Sequence, residues 1–374
     1  MLKIDNRELL IYLHGLSGVG WRTIEKLTTY ISPLSKVFSM NPLELSINTG
    51  IEYNLAEKII NHIRDEEGII RFNNNFSNWI LKKIKIITFY DYNYPNSLKE
   101  IAQPPWVLYT IGNLELINSF SIAIVGTRNP TNYGKLVTEM IAKELVNYNF
   151  TIVSGMARGI DSIAHQGTLN NKGKTIAILG CGIDIIYPRE NKNLYNSIAQ
   201  SGLIISEYPP GEKPHPGFFP QRNRIISGLS NGTLVIEASI SSGSLITAQF
   251  SLDQSREVFA IPGPITSKNS LGTNSLIKQG AKLVQTVEDI IEEFPYLILE
   301  KKQTEKVDYN ISKIEKEIYL LIEDEPIHVN ELYQRTNIEL SDIYECLLSL
   351  QLKEIIKQLP GSLYVRKINI EEIN

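Results

Sequence analysis

Seven short apolar runs recur between residues 119 and 294: SIAIVG, FTIVSG, KTIAILG, LIISEY, GTLVIEA, EVFAIPG and AKLVQT. A strand with one wet face alternates apolar and polar residues; most of these do not, so they read as strands covered on both faces. The stretches between them have helical spacing. Strand, loop and helix in repetition predict an α/β fold, a Rossmann-like, doubly wound and mainly parallel sheet. In such a sheet a ligand sits beyond the carboxyl ends of the strands, so the residues that follow each run hold the functional information.

The first run ends in Gly126-Thr127-Arg128, which offers close backbone approach, a hydroxyl and a forked cation ahead of a helix. The second ends in Ser154-Gly155 and leads to Arg158 and a helix beginning near Ile160, with Asp161 in it. The third ends in Gly180-Cys181-Gly182, and the fourth in Glu207-Tyr208-Pro209-Pro210, which runs on to Lys213. The fifth is followed by Ser241, Ser242, Gly243 and Ser244, placed to cap a helix or hold a phosphate. The dinucleotide fingerprint G-x-G-x-x-G is missing, and so is an acidic ribose partner after the second run, which disfavours NAD or FAD.

Residues 214–230 concentrate the same chemistry. Pro214, Pro216, Gly217 and Pro220 predict a shaped loop that carries Phe218 and Phe219, with helical spacing resuming at Ile225. Arg222, Asn223 and Arg224 would then flank a helix N-terminus. Rings for stacking, guanidinium forks and free amides suit a ligand that bears both phosphates and bases.

A chain of 374 residues exceeds one ordinary core, and 43% hydrophobic with 21% charged residues describes a globular protein. The formal net charge of −4 confines any nucleic-acid surface to a local patch. No apolar run reaches membrane-spanning length, and MLKIDNRELLIYL lacks a signal-peptide core. Cys181 and Cys346 form no CxxC pair and five histidines are scattered, so neither metal nor cofactor is expected, in a reduced, cytoplasmic setting.

The flanks divide by pattern. Residues 1–75 read as short helices, with a glycine hairpin (Gly15, Gly18, Gly20) that resembles a helix-hairpin-helix motif. Residues 76–118 read as a connecting segment packed on the edge of the 119–295 domain, its aromatics serving packing. A charged linker spans 296–310, and residues 311–370 follow the order of a winged helix. The helix that would enter a DNA groove, Ser341 to Gln351, carries Asp342 and Glu345 and no Lys or Arg, which favours protein contact over DNA reading.

IAIVGTRNPTNYG, IVSGMARGIDSIAHQGTL, AILGCGIDIIYPRENKNLY, ISEYPPGEKPHPGFFPQRNRIISGLS, VIEASISSGSLITAQ and FAIPGPITSKNSLGTNSLIKQGA occur in the order and spacing of one family. Together they resemble the DNA-processing protein A family, also called Smf. The resemblance implies a cytoplasmic, non-enzymatic homodimer that binds single-stranded DNA, shields incoming strands during natural transformation and helps load the recombinase RecA. It maps a basic pocket onto Arg128, Ser154-Gly155, Lys213 and Phe219 to Arg224. The expected binding set is therefore Gly126, Thr127, Arg128, Ser154, Gly155, Arg158, Lys213, Phe218, Phe219, Arg222, Asn223, Arg224, Ser242, Gly243 and Ser244.

Two other readings compete. A Rossmann-like nucleotide phosphoribohydrolase would need a glutamate on the helix after its glycine-rich loop, whereas Ala238 to Arg256 holds only Asp253; Glu207 and Glu237 remain as strand-end acids. A pure scaffold would bind partners through apolar helix faces such as Leu245 to Leu252.

Overall fold

A computed structural model of the chain describes residues 5–295, 311–322, 325–353 and 355–366. It divides into two compact units, residues 1–302 and 303–374. The expected linker at 296–310 lies outside the described residues.

The first unit is built on one nine-stranded sheet. Its strands are β1 (Lys85–Thr88), β2 (Val107–Gly112), β3 (Ser121–Val125), β4 (Thr151–Ser154), β5 (Thr175–Leu179), β6 (Leu203–Ser206), β7 (Gly232–Val235), β8 (Glu257–Ala260) and β9 (Lys282–Leu283). They lie in the order β1-β2-β6-β5-β4-β3-β7-β8-β9. From β6 across to β9 all neighbours run parallel, while β2 pairs antiparallel with β6 and β1 antiparallel with β2. The seven apolar runs are thus the seven parallel strands, and residues 76–118 contribute two more strands to the same sheet.

Two-sided burial follows from the pleat. Ile122 and Ile124 of β3 join one core with Ile141 and Leu145 of helix Asn132–Asn147 and Ile160 of helix Ile160–Asn170. Their neighbours Ala123 and Val125 join the opposite core with Ile225 and Ile226 of helix Phe218–Leu229 and Ala248 of helix Gly243–Asp253. Successive side chains face opposite layers, so a strand between two helical layers has no solvent-facing position, and its few polar side chains, such as Ser121 and Ser154, are buried and hydrogen-bonded. β3 lies between β4 and β7, where the chain, having wound outward through β4, β5 and β6, returns to the other side. This is the topological switch point.

Helix Phe218–Leu229 begins earlier than its sequence suggests. Pro220 is its third residue, where the backbone N–H has no intrahelical partner to lose, so the proline fits the first turn. Phe218 and Phe219 open the helix rather than occupying a loop.

Helices Asn6–His14, Trp21–Tyr30, Pro42–Thr49, Tyr53–Arg64 and Glu66–Leu81 precede the sheet. Asp5 and Asn41 each form a reciprocal capping box, with Glu8 and Glu44. Leu9, Leu13, Ile24 and Ile59 share one core with Trp106, just before β2, and Tyr109 of β2.

In the second unit, helices Lys313–Leu321, Val329–Arg335 and Leu340–Leu352 accompany strands β10 (Ile327–His328), β11 (Ile356–Leu359) and β12 (Leu363–Arg366). The antiparallel order β10-β12-β11 gives a winged helix around Ile318, Leu332, Ile343 and Leu347. No helix among the described residues is long and apolar enough to cross a membrane.

Candidate functional site

A cavity of about 540 Å³ opens at the switch point, beyond the ends of β3 and β7. Its floor is the turn after β3. Gly126 lies so close to its neighbours that a Cβ would stand 2.6 Å from Ile160 Cγ1 and 3.0 Å from the Glu237 carbonyl. The Thr127 N–H donates to that carbonyl at 2.7 Å. The buried Glu237 carboxylate accepts from the Thr131 N–H at 2.9 Å and from its hydroxyl at 2.6 Å. The Thr127 hydroxyl accepts from the Asn129 N–H at 3.2 Å. Held this way, the turn projects Arg128 outward, exposed and lining the cavity.

The opposite side is the start of helix Gly243–Asp253. Ser242 caps it, its Oγ accepting from the Ser244 N–H at 3.4 Å. A Cβ on Gly243 would meet nothing within 4 Å, so a ligand can approach that backbone freely. Asn223 donates its amide to the Gly243 carbonyl at 3.3 Å, joining this turn to helix Phe218–Leu229. An anion at such a helix start meets unpaired amides and the positive end of the dipole.

An aromatic wall completes the cavity. The Phe219 ring lies over Gly180, where a Cβ would come within 2.8 Å of it. It stands 5.4 Å from the ring of Tyr187 and 5.8 Å from the Arg128 guanidinium. Tyr187 is 44% exposed. Sequence reading missed this residue; its signal was an aromatic just before a proline in a strand-end loop. Phe218 points elsewhere, stacking on Tyr208 at 4.1 Å, and is not among the residues lining the cavity.

The cations separate by environment. Arg222 is 5% exposed, and its Nη1 donates to the carbonyls of Gly155 and Ile178, at the ends of β4 and β5. Gly155 must be glycine, because a Cβ would overlap that guanidinium. Burial lowers the Arg222 pKa, and the nearby Asp161 opposes that shift. Asp161, buried on the cavity wall, has its pKa raised by burial while Arg222 pulls it down. Arg222 therefore braces the wall more than it offers a free fork. Arg224 is not among the lining residues; it pairs with Glu207 at 2.6 Å, both side chains nearly buried. Arg158 lines an adjoining recess of about 40 Å³ and pairs with Glu190. Lys213 is exposed in the loop after β6, outside both linings. Ser154 is fully buried, its Oγ donating to the Ile124 carbonyl at 2.7 Å.

The expected set thus splits. Gly126, Thr127, Arg128, Phe219, Arg222, Asn223, Ser242, Gly243 and Ser244 surround one cavity, Gly155 and Arg158 its recess. Ser154, Lys213, Phe218 and Arg224 stand apart. The two strand-end acids weighed for catalysis are both engaged, Glu207 by Arg224 and Glu237 by Thr131. Among the described residues, no group of three or more His, Cys, Asp or Glu is placed to hold a metal ion.

The chain is similar to known proteins over most of its length. A family model described as DNA recombination-mediator protein A matches residues 85–295, and one described as the DprA winged helix domain matches residues 305–362. Protein Smf of Synechocystis sp. is 33% identical over 388 aligned positions, covering 94% of this chain and 96% of that protein. The crystal structure of DNA processing protein A from Streptococcus pneumoniae superposes with a TM-score of 0.69 at 36% identity, over 78% of this chain and 99% of that one. The DNA processing protein A of Helicobacter pylori, studied for its single-stranded DNA binding mode, superposes with a TM-score of 0.52 at 33% identity, over 57% of this chain and 96% of that one.

Proposed function

The chain belongs to the DNA recombination-mediator protein A family, also named DprA or Smf, and on that premise we propose that its switch-point cavity grips single-stranded DNA without cutting it. One observation carries the reading. The exposed Arg128, the paired rings of Phe219 and Tyr187, and the open helix start at Gly243 converge on one cavity. A phosphate lies against the guanidinium and the helix amides while a base stacks on the rings. This recognition tolerates any sequence and favours unpaired strands, because duplex bases are already stacked on one another. The chain acts in the cytoplasm as a homodimer, sheltering incoming strands during DNA uptake and helping to load RecA on them.

The test is a fluorescence titration of labelled oligo-dT at several salt concentrations, with unlabelled duplex as competitor. Arg128→Ala should weaken binding and flatten the salt dependence by about 0.7 in log–log slope, the value for one phosphate contact on a single strand. Duplex of equal length should compete poorly. Unchanged affinity and slope in the variant would overturn the assignment of Arg128.

A further inference from the structure

We propose that the sheet rim carries a second base-stacking platform, formed by Tyr90 and Tyr92, which extends the path of a single strand beyond the cavity. The inference rests on the single-strand reading above and adds a separate contact to it.

The topology places the two sites on the same rim. Ser206, at the carboxyl end of β6, pairs with Tyr109 of β2, and Val107 at the start of β2 pairs with Thr88 at the end of β1. The connection from β1 to β2 therefore leaves the sheet at the end where the cavity opens. β1 is three strands from β5 and five from β3, roughly 14 and 24 Å at the usual strand spacing. Between them lies the loop after β6 that bears the exposed Lys213.

The platform is exposed but braced. Tyr92 is fully exposed and Tyr90 is 63% exposed, on the turn that follows β1. Tyr90 stands edge-on to Phe89 at 5.4 Å and beside Trp106 at 6.4 Å. Trp106 donates its indole N–H to the Trp21 carbonyl at 3.1 Å, and Trp21 donates its own to the Pro104 carbonyl at 2.7 Å. The turn itself is held by Asp91, which accepts from Arg7 Nε at 3.0 Å and from the Thr88 N–H at 2.9 Å. This bracing holds Tyr90 and the turn, so a base stacking on Tyr90 orders little that was previously free, while the fully exposed Tyr92 offers both its faces. Burying these rings inside the protein would have been the packing role expected from sequence; the structure gives that role to Phe89, Tyr94 and Trp106 instead.

The electrostatics suit a polyanion. The Asp91 carboxylate is paired with Arg7. The exposed Lys99 stands 5.9 Å from the Phe89 ring and 6.0 Å from that of Tyr94, and Arg22, next to Trp21, is exposed. Phe89, which packs on Tyr90, brings the Lys99 cation close to the exposed rings, and exposed rings with positive charge nearby are the combination that holds unpaired bases and their backbone. The occupant is therefore the same single strand, continuing from the cavity.

The test compares oligo-dT of about twenty nucleotides with wild type, Tyr92→Ala, Tyr90→Ala/Tyr92→Ala and Tyr92→Trp, all by fluorescence titration. The double variant should lose roughly 10- to 100-fold in affinity, Tyr92→Ala several-fold, and Tyr92→Trp should retain wild-type affinity, the range expected for one or two stacked bases. Emission from the introduced tryptophan should be quenched by the oligonucleotide, relative to the wild-type signal. Unchanged affinity in the double variant, with no quenching of the added indole in Tyr92→Trp, would overturn the platform and leave the turn as a surface for a protein partner. Tyr92 is fully exposed, so its replacements should fold as wild type does. The two readings fail separately. If wild type binds no oligo-dT, the cavity assignment falls; if Arg128→Ala weakens binding and the tyrosine variants do not, only the platform does.

Discussion

Replacing Arg224 with alanine should damage the fold and leave the binding surface intact. Its Nη2 lies 2.6 Å from Glu207 Oε1, with the two side chains 6% and 12% exposed. At an effective dielectric of about 20 this separation corresponds to roughly 6 kcal/mol of attraction. Desolvating two ions costs several kcal/mol each, so the intact pair contributes little net stability. Arg224 Nε and Nη1 are also buried without a hydrogen-bond partner, which adds to the cost of keeping the arginine there. Removing the arginine alone is different, because Glu207 stays buried and uncompensated; the expected loss is about 3–5 kcal/mol. In urea this amounts to a midpoint roughly 1–2 M lower. The double variant Arg224→Met/Glu207→Leu should regain most of the loss or exceed wild type. Oligo-dT affinity of the folded single variant should match wild type, because Arg224 is not among the residues lining the cavity. A single variant with an unchanged midpoint and weakened oligo-dT binding would show that Arg224 faces the ligand and that the inward pairing is wrong.

Phe219→Ala should lower oligo-dT affinity by about 1–3 kcal/mol without changing the salt slope, since a ring contributes stacking and no charge; a flattened slope in the same titration would refute this. The winged helix should carry an acid-sensitive carboxylate. Burial would raise the Glu315 pKa, but hydrogen bonds from Lys353, Ser349 and Ser312 outweigh it and bring the value down to about 2. A depressed pKa stabilises the fold above the ordinary carboxylate range and loses that contribution as pH falls toward 2, here about 3 kcal/mol in all. Glu315→Gln should unfold with a weaker pH dependence between about 4.5 and 2, measured by far-UV circular dichroism in urea; a variant as acid-sensitive as wild type would remove Glu315 as the cause.

Much of the molecule was legible in one dimension. Continuous apolar runs such as SIAIVG and GTLVIEA demand cover on both faces, and only helical layers provide it. From that follow the parallel sheet and the carboxyl-end location of Gly126–Arg128 and Ser242–Ser244. The order of three helices and two strands likewise announced the winged helix. Residues 76–118 read as a connecting segment; the antiparallel addition of Lys85–Thr88 and Val107–Gly112 to the main sheet was not readable, because the partners of Val107–Gly112 on Leu203–Ser206, more than ninety positions away, leave no local mark.

Arg222, Asn223 and Arg224 show where reading along the chain stops. As a loop they formed one basic cluster. On a helix, residues two apart point about 200° from each other, so one guanidinium reaches the ends of β4 and β5 and the other reaches Glu207. Phe218 and Phe219 diverge by about 100° for the same reason, one onto Tyr208 and one into the cavity. Composition and periodicity determined which chemistry this rim would hold; the rotation of a single helix, set by its packing on the sheet, decided which of those side chains a ligand can touch.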